Sequence, residues 1–317
     1  MQRSGLNKRL IRNKIRRIQQ SALDKGVKFK VIQDYDLFSE YTRKTIKRQS
    51  KTKLLLSGVI LLVIIAFGIS TVDYISSARC LLPSNYLVWE ATRPLNDCSY
   101  CINVTGPIIL QNVTRQIFAK YAYSSKPMIV KKSIGHWRAV KEFSYDVFKR
   151  LYEETSGSYD TLEEGCQFLN FKSDLFSLKE VFSMSKERVN GEHGQKPWYV
   201  GWGNCHQEIL KKLRNFYDTP DFLPEDAEFP ATENIFMGFE IGAVMHLDYI
   251  ERLMWQGQVK GAKLWSVAPV PECDHICHKF SFYVEAKDIV LLDTRIWYHE
   301  TSIPMGQFSI TVQSEYG

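Results

Sequence analysis

No cysteine precedes Cys80, and all seven (Cys80, Cys98, Cys101, Cys166, Cys205, Cys273 and Cys277) fall in the later part of the chain. Such one-sided placement points to an oxidising compartment for that part. Charge is missing from a second stretch, residues 54–72, which read LLLSGVILLVIIAFGISTV. Lys and Arg are missing from a third, the ETSIPMGQFSITVQSEYG that follows His299, so a cation serving that end of the chain must come from elsewhere. With 44% hydrophobic and 24% charged residues, the composition fits neither a disordered chain nor a multi-span membrane protein. A length of 317 residues allows two domains, but barrels often run large, and one folded domain is expected.

The net charge of +6 conceals a division: residues 1–53 hold 16 Lys and Arg against 4 Asp and Glu, and the remainder 25 against 31. Within this basic tail Ile11, Ile15, Ile18 and Ala22 recur at helical spacing, so a short amphipathic helix is expected. It could lie on anionic lipid headgroups, or remain a solvated tail that only sets topology. The uncharged residues 54–72 meet the length of about 20 needed to cross a bilayer and are read as one transmembrane helix. They lie too far from the N-terminus for an ordinary cleaved signal. Lys44, Lys47, Arg48, Lys51 and Lys53 crowd the N-terminal flank, which places the tail in the cytosol and the rest in a lumen or outside the cell. The sequons Asn103-Val-Thr105 and Asn112-Val-Thr114 agree, since N-glycosylation needs that side. The expected organisation is a cytosolic tail (1–53), a span (54–72), a lumenal stem (73–114) and a catalytic domain (115–317). A nucleic-acid partner is not expected; a membrane is.

Cys98 and Cys101 form a CxxC which, on the lumenal side, reads as structural disulfides, with Cys80 a further candidate. Seven is odd, so at least one thiol is free or paired between chains. The segment ECDHICHKF offers Cys273, His275, Cys277 and His278, ligands too close in sequence for an easy tetrahedral zinc site. A Cys273–Cys277 disulfide, or two separate bridges, is favoured. Upstream, SYDVFKRLYEE and CHQEILKKLRNFY carry helical periodicity, the second closed by Thr219-Pro220. Gly238 and Gly242 interrupt a β-pattern, as glycines do where a strand bulges or a backbone approaches closely.

The stretch from His246 to His299 carries the chemistry. On a strand, residues i and i+2 share a face, so His246 and Asp248 would aim an imidazole and a carboxylate at one point. His299, inside another β-patterned run, completes two histidines and a carboxylate, the facial set of non-haem Fe(II) oxygenases. Such a set leaves open positions for a co-substrate, whose far carboxylate needs a cation. The hairpin expected after the HxD strand offers Lys260 and Lys263 around Gly261, and Lys263 is preferred because it shares a face with Trp265 and Val267. Tyr298 and Thr301 flank the distal ligand as candidate supporting partners.

These residues in this order, HxD, a strand Lys and a late His, are similar to the JmjC-type, cupin-like family of Fe(II)- and 2-oxoglutarate-dependent oxygenases. The resemblance covers most of the C-terminal two-thirds: AKYAYSSKPMIVKKSIGHWRAV resembles the family's first strand and Trp-containing segment, and SITVQSEYG its closing strand. Where many members carry an Asn several residues after the HxD, this chain reads ERLMW. The resemblance implies a mainly β double-stranded β-helix, or jelly roll, with flanking helices. It also implies His246, Asp248 and His299 as iron ligands and catalytic residues, Lys263 as the 2-oxoglutarate anchor, and O2 as second co-substrate. The expected function is a membrane-anchored lumenal oxygenase that hydroxylates a protein or peptide. The alternatives are a catalytically silent binding module for a secretory-pathway client and a metalloenzyme that dispenses with 2-oxoglutarate.

Overall fold

The computed structural model describes residues 3–28, 53, 55–72, 86–164 and 166–317. These fall into two compact units, Met1–Arg93 and Pro94–Gly317. In the first, Arg3–Asp24 form a helix of 22 residues and Tyr86–Thr92 a short one. Among the described residues one helix, Leu55–Val72, is long and apolar enough to cross a bilayer, and its side chains are exposed throughout. Leu54, the first residue of the expected span, lies outside the described residues.

The second unit is built on eleven strands: β1 Ile108–Leu110, β2 Met128–Val130, β3 Phe168–Leu169, β4 Trp198–Asn204, β5 Glu233–Phe239, β6 Leu253–Lys260, β7 Lys263–Pro269, β8 Phe280–Val284, β9 Ile289–Leu292, β10 Trp297–Ser302 and β11 Phe308–Tyr316. Eight form one sheet in the order β1-β2-β9-β6-β11-β5-β4-β3, and β10-β7-β8 form a smaller one. From β6 onward the chain crosses between the two sheets four times, which is the jelly-roll winding expected of the fold.

The large sheet is covered on both sides. On β9, Ile289 and Leu291 enter a core shared with the helices, while Val290 and Leu292 enter a second core toward the small sheet. A strand buried on both faces reads as a continuous apolar run, which IVLL is. The helix-side core takes Phe143 and Phe148 from the region of helix Tyr145–Glu153, whose first turn is capped by the Ser144 hydroxyl accepting from the Val147 N–H. The expected second helix spans Gln207–Leu213, ending well before Thr219-Pro220, so the proline does not terminate it.

Three further expectations change. β6 and β7 do not form a hairpin: β6 pairs with β9 and β11, β7 with β8 and β10. The chain passes from one sheet to the other at Gly261, where φ is +67° and an added Cβ would lie 2.2 Å from the Phe308 carbonyl oxygen, so the position suits only glycine. Residues 94–114, the later part of the expected stem, belong to the second unit. β1 pairs in parallel with β2, and disulfides Cys98–Cys273 and Cys101–Cys277 staple the CxxC segment to the turn after β7. Those bridges replace the Cys273–Cys277 alternative with two separate ones, and they remove both cysteines from any zinc site. Cys166 pairs with Cys205. Cys80 lies outside the described residues.

Candidate metal centre

On its barrel-facing side the large sheet changes character from one end to the other. β2 and β9 present Ile129, Val290 and Leu292 there, all in the second core. On β6 and β11 the same alternation brings Gln256, Gln258, Ser309, Thr311 and Gln313, all buried. On β4 and β5 it brings Tyr199, Asn234 and Phe236. Polar groups this deep need partners. Gln256 Nε2 donates to Gln313 Oε1 at 2.6 Å, and Gln258 Nε2 to Ser309 Oγ at 2.8 Å.

Lys263 enters this polar region fully buried. Its Nζ donates to Tyr199 Oη at 2.8 Å, Gln256 Oε1 at 3.0 Å and Thr311 Oγ1 at 3.2 Å. It also lies 5.0 Å and 5.5 Å from the ring centres of Tyr199 and Phe236. Every acceptor is neutral, and burial drives the lysine pKa well below its ordinary value. Lys260, the other lysine of the turn, borders a different cavity, beside Tyr145 and Phe308.

His246 does not lie in a regular strand. After β5 the chain leaves the large sheet and meets β10 at a single antiparallel bridge, with His246 N–H to His299 O at 3.0 Å and the reverse bond at 2.9 Å. Gly242 allows the approach, because an added Cβ would sit 2.0 Å from the Thr301 carbonyl oxygen. The Thr301 hydroxyl in turn accepts from the Ala243 N–H at 3.1 Å. Asp248 N–H donates to Thr294 O at 2.9 Å. The convergence expected of strand alternation is thus reached by backbone bonds to β10 and to the turn before it.

The result is a tight cluster. His246 Nε2 lies 3.3 Å from Asp248 Oδ1, and His299 Nε2 3.7 Å from Asp248 Oδ2. One ligand atom from each residue falls within 4.8 Å of the others. Both imidazoles place Nδ1 against a backbone carbonyl, Val244 O at 2.5 Å and Trp297 O at 3.2 Å, which leaves each Nε2 lone pair for the shared centre. Trp265 stacks on His299 at 5.7 Å between ring centres. Burial pushes the His299 pKa down to about 4, against the pull of the Asp248 charge. For His246 burial also lowers the pKa, but hydrogen bonding and attraction to Asp248 outweigh it, and the net shift is upward. Burial raises the Asp248 pKa, and the two histidines reverse that to a net lowering. A carboxylate and two imidazoles with free Nε2 atoms, in a half-buried cluster, are a donor set that fits a divalent transition metal.

A cavity of about 90 Å³ joins these parts: it is bordered by His246, Asp248 and His299, and by the Lys263 partners Tyr199 and Gln256. Thr301 borders it too, whereas Tyr298 packs against the second core. Sequence reasoning missed Tyr199, Asn234, Gln256, Thr311 and Gln313. The polar residues at alternate positions of β6 and β11 were a usable signal; Tyr199 was hidden among aromatic neighbours. It also missed Phe171, which borders the cavity at φ +45° with its ring 4.9 Å from that of Tyr199. A bulky residue in that backbone region is a genuine outlier.

Residues 114–313, well over half of the chain, match the family described as cupin-like domain. The chain belongs to the cupin-like domain family. The expected JmjC/cupin-like membership and jelly-roll fold are therefore borne out. No curated protein matches the chain. Among solved structures, YcfD, a ribosomal oxygenase from Escherichia coli, aligns at 14% identity and a TM-score of 0.41, over 65% of this chain. The match spans about half of that enzyme, 51% of its chain.

Proposed function

We propose that this cupin-like protein is a membrane-anchored Fe(II)- and 2-oxoglutarate-dependent oxygenase, with its catalytic unit in a lumen or outside the cell, that hydroxylates a protein or peptide. The observation that carries the reading is the single cavity bordered by the His246–Asp248–His299 cluster and by the partners of a buried lysine that has no carboxylate. Those three residues would hold the iron, and a 2-oxoglutarate carboxylate would give Lys263 the anion it lacks. Bound iron would supply O2 activation coupled to oxidative decarboxylation of 2-oxoglutarate to succinate and CO2, with the second oxygen atom going to the substrate C–H bond. The chain's own residues do the rest. The Val244 and Trp297 carbonyls hold the histidine rings in orientation, Tyr199 and Gln256 position the lysine, and Trp265 and Phe236 keep the cavity walls apolar.

The apolar helix Leu55–Val72 and the three disulfides support an anchored protein in an oxidising compartment. Both sequon asparagines, Asn103 and Asn112, are exposed and sit in turns at φ 61° and 48°, open to modification. The test is succinate formation by the full chain in detergent, supplied with Fe(II) and 2-oxoglutarate, beside a His246→Ala variant. Wild-type turnover that the variant lacks supports the reading. A glycosidase-sensitive mass on Asn103 and Asn112 in secretory cells supports the orientation. One observation favours a second reading, a silent binding module: the three donors of Lys263 already meet three protein oxygens. No succinate, together with client binding that survives His246→Ala, would establish that alternative.

A further inference from the structure

We propose that the basic N-terminal helix, Arg3–Asp24, lies flat on an anionic lipid surface as a second membrane contact of the chain; this rests on reading Leu55–Val72 as a span. The helix holds seven Lys and Arg between Arg3 and Arg17, and its sole acid, Asp24, is its last residue. Four of its apolar residues, Ile11, Ile15, Ile18 and Ala22, follow the helical period, and Ile11 and Ile18 are 50% and 70% exposed. Ile15 and Ala22 are half-buried, so the stripe is open to an apolar phase at Ile11 and Ile18.

By the 3.6-residue period Arg12 and Lys14 fall on opposite sides of that stripe. From there their stems can cover apolar surface while their charged ends reach headgroup phosphates. A narrow apolar stripe with low overall hydrophobicity and a cationic remainder is the composition of a helix that rests in the bilayer interface. The tail cannot neutralise itself, since residues 1–53 hold 16 cations against 4 anions. Residues 25–54 tether the helix to the span, which keeps it within roughly 100 Å of the bilayer even fully extended. Attachment is then intramolecular and is favoured by high effective concentration. Charge complementarity, the exposed stripe and the tether together select a lipid surface over a soluble acidic partner.

The test uses the full chain in vesicles of phosphatidylcholine, with and without phosphatidylserine, and reads backbone hydrogen exchange in residues 3–24. Exchange is expected to slow by roughly tenfold or more when phosphatidylserine is present, and high salt should erase most of the difference. Arg12→Gln with Arg16→Gln and Arg17→Gln keeps helix propensity and should remove the lipid dependence. Ile11→Ala with Ile18→Ala should weaken it by removing the stripe. Equal exchange in both lipids overturns the proposal. So does protection that neither lipid charge nor salt alters, because the helix would then be held by something other than anionic headgroups. Flotation with phosphatidylcholine alone reports the span independently. A chain that floats only when phosphatidylserine is present keeps the helix contact and loses the span.

Discussion

The two faces of the large sheet differ in what they are made of and in what they do. The helix-facing side carries Trp198, Trp202, Trp255, Ile289, Leu291, Ile310 and Val312, all buried among aromatic neighbours. The barrel-facing side carries Tyr199, Asn234, Gln256, Thr311 and Gln313, with Lys263 reaching them from the small sheet. Both faces bury apolar surface, the second through Ile129, Met254, Val290 and Leu292, but only the first does so along its whole width. The second holds a lysine whose burial works against its charge, and a histidine whose burial works against protonation. The polar set is confined to β4, β5, β6 and β11 of the second face, beside an apolar part on β2 and β9.

The comparison breaks most visibly at the cluster. Asp248→Ala removes the one carboxylate between the two histidines, and both bound Fe(II) and succinate formation are expected to fall to background, as metal analysis and turnover on the same sample would show. On the opposite face, Trp202→Ala should cost about 3–5 kcal/mol in urea unfolding. The 2-oxoglutarate KM of the folded fraction should not change. If that KM moves as much as stability does, the faces are not separable.

Lys263→Met sharpens the contrast, because it should raise the 2-oxoglutarate KM by roughly a hundredfold while leaving the protein no less stable at neutral pH. The pH dependence follows from the lowered lysine pKa. Between that value and about 10.4 the unfolded chain keeps a proton that the folded chain has released, so stability rises with pH across the window. The stability gap between wild type and Lys263→Met should therefore narrow from pH 7 to pH 10 in matched urea titrations. A gap that widens would show that the lysine gains, not loses, from burial. The smallest effect belongs to the helix side: Ser144→Ala removes a helix cap and should cost about 1 kcal/mol, with no kinetic consequence.

What could be read from the sequence follows the reach of each signal. HxD, a strand lysine and a late histidine are local patterns, and their residue types alone pointed to a metal and an anion. The choice of Lys263 over Lys260 came from alternation, and only Lys263 enters the barrel. Disulfide pairing was illegible because Cys98 and Cys273 are separated by 175 residues and no local pattern links them. The split of β6 and β7 between two sheets was hidden for a related reason: Gly261 reads as a hairpin turn, and only the distant strands β9 and β11 on one side and β8 and β10 on the other show that both edges of each are taken. The polar set around Lys263 comes from β4, β6 and β11, so its members look unrelated until the strands are side by side.

The most direct test is calorimetric titration of 2-oxoglutarate into the full chain, loaded with Mn(II) in place of Fe(II) to prevent turnover, for wild type, His246→Ala and Lys263→Met. The expected result is binding to the wild type, weakened by roughly a hundredfold in Lys263→Met, and dependent on metal that His246→Ala no longer holds. Equal affinity in all three, or no binding to metal-loaded wild type, would contradict the assignment of this cavity as a joint metal and 2-oxoglutarate site.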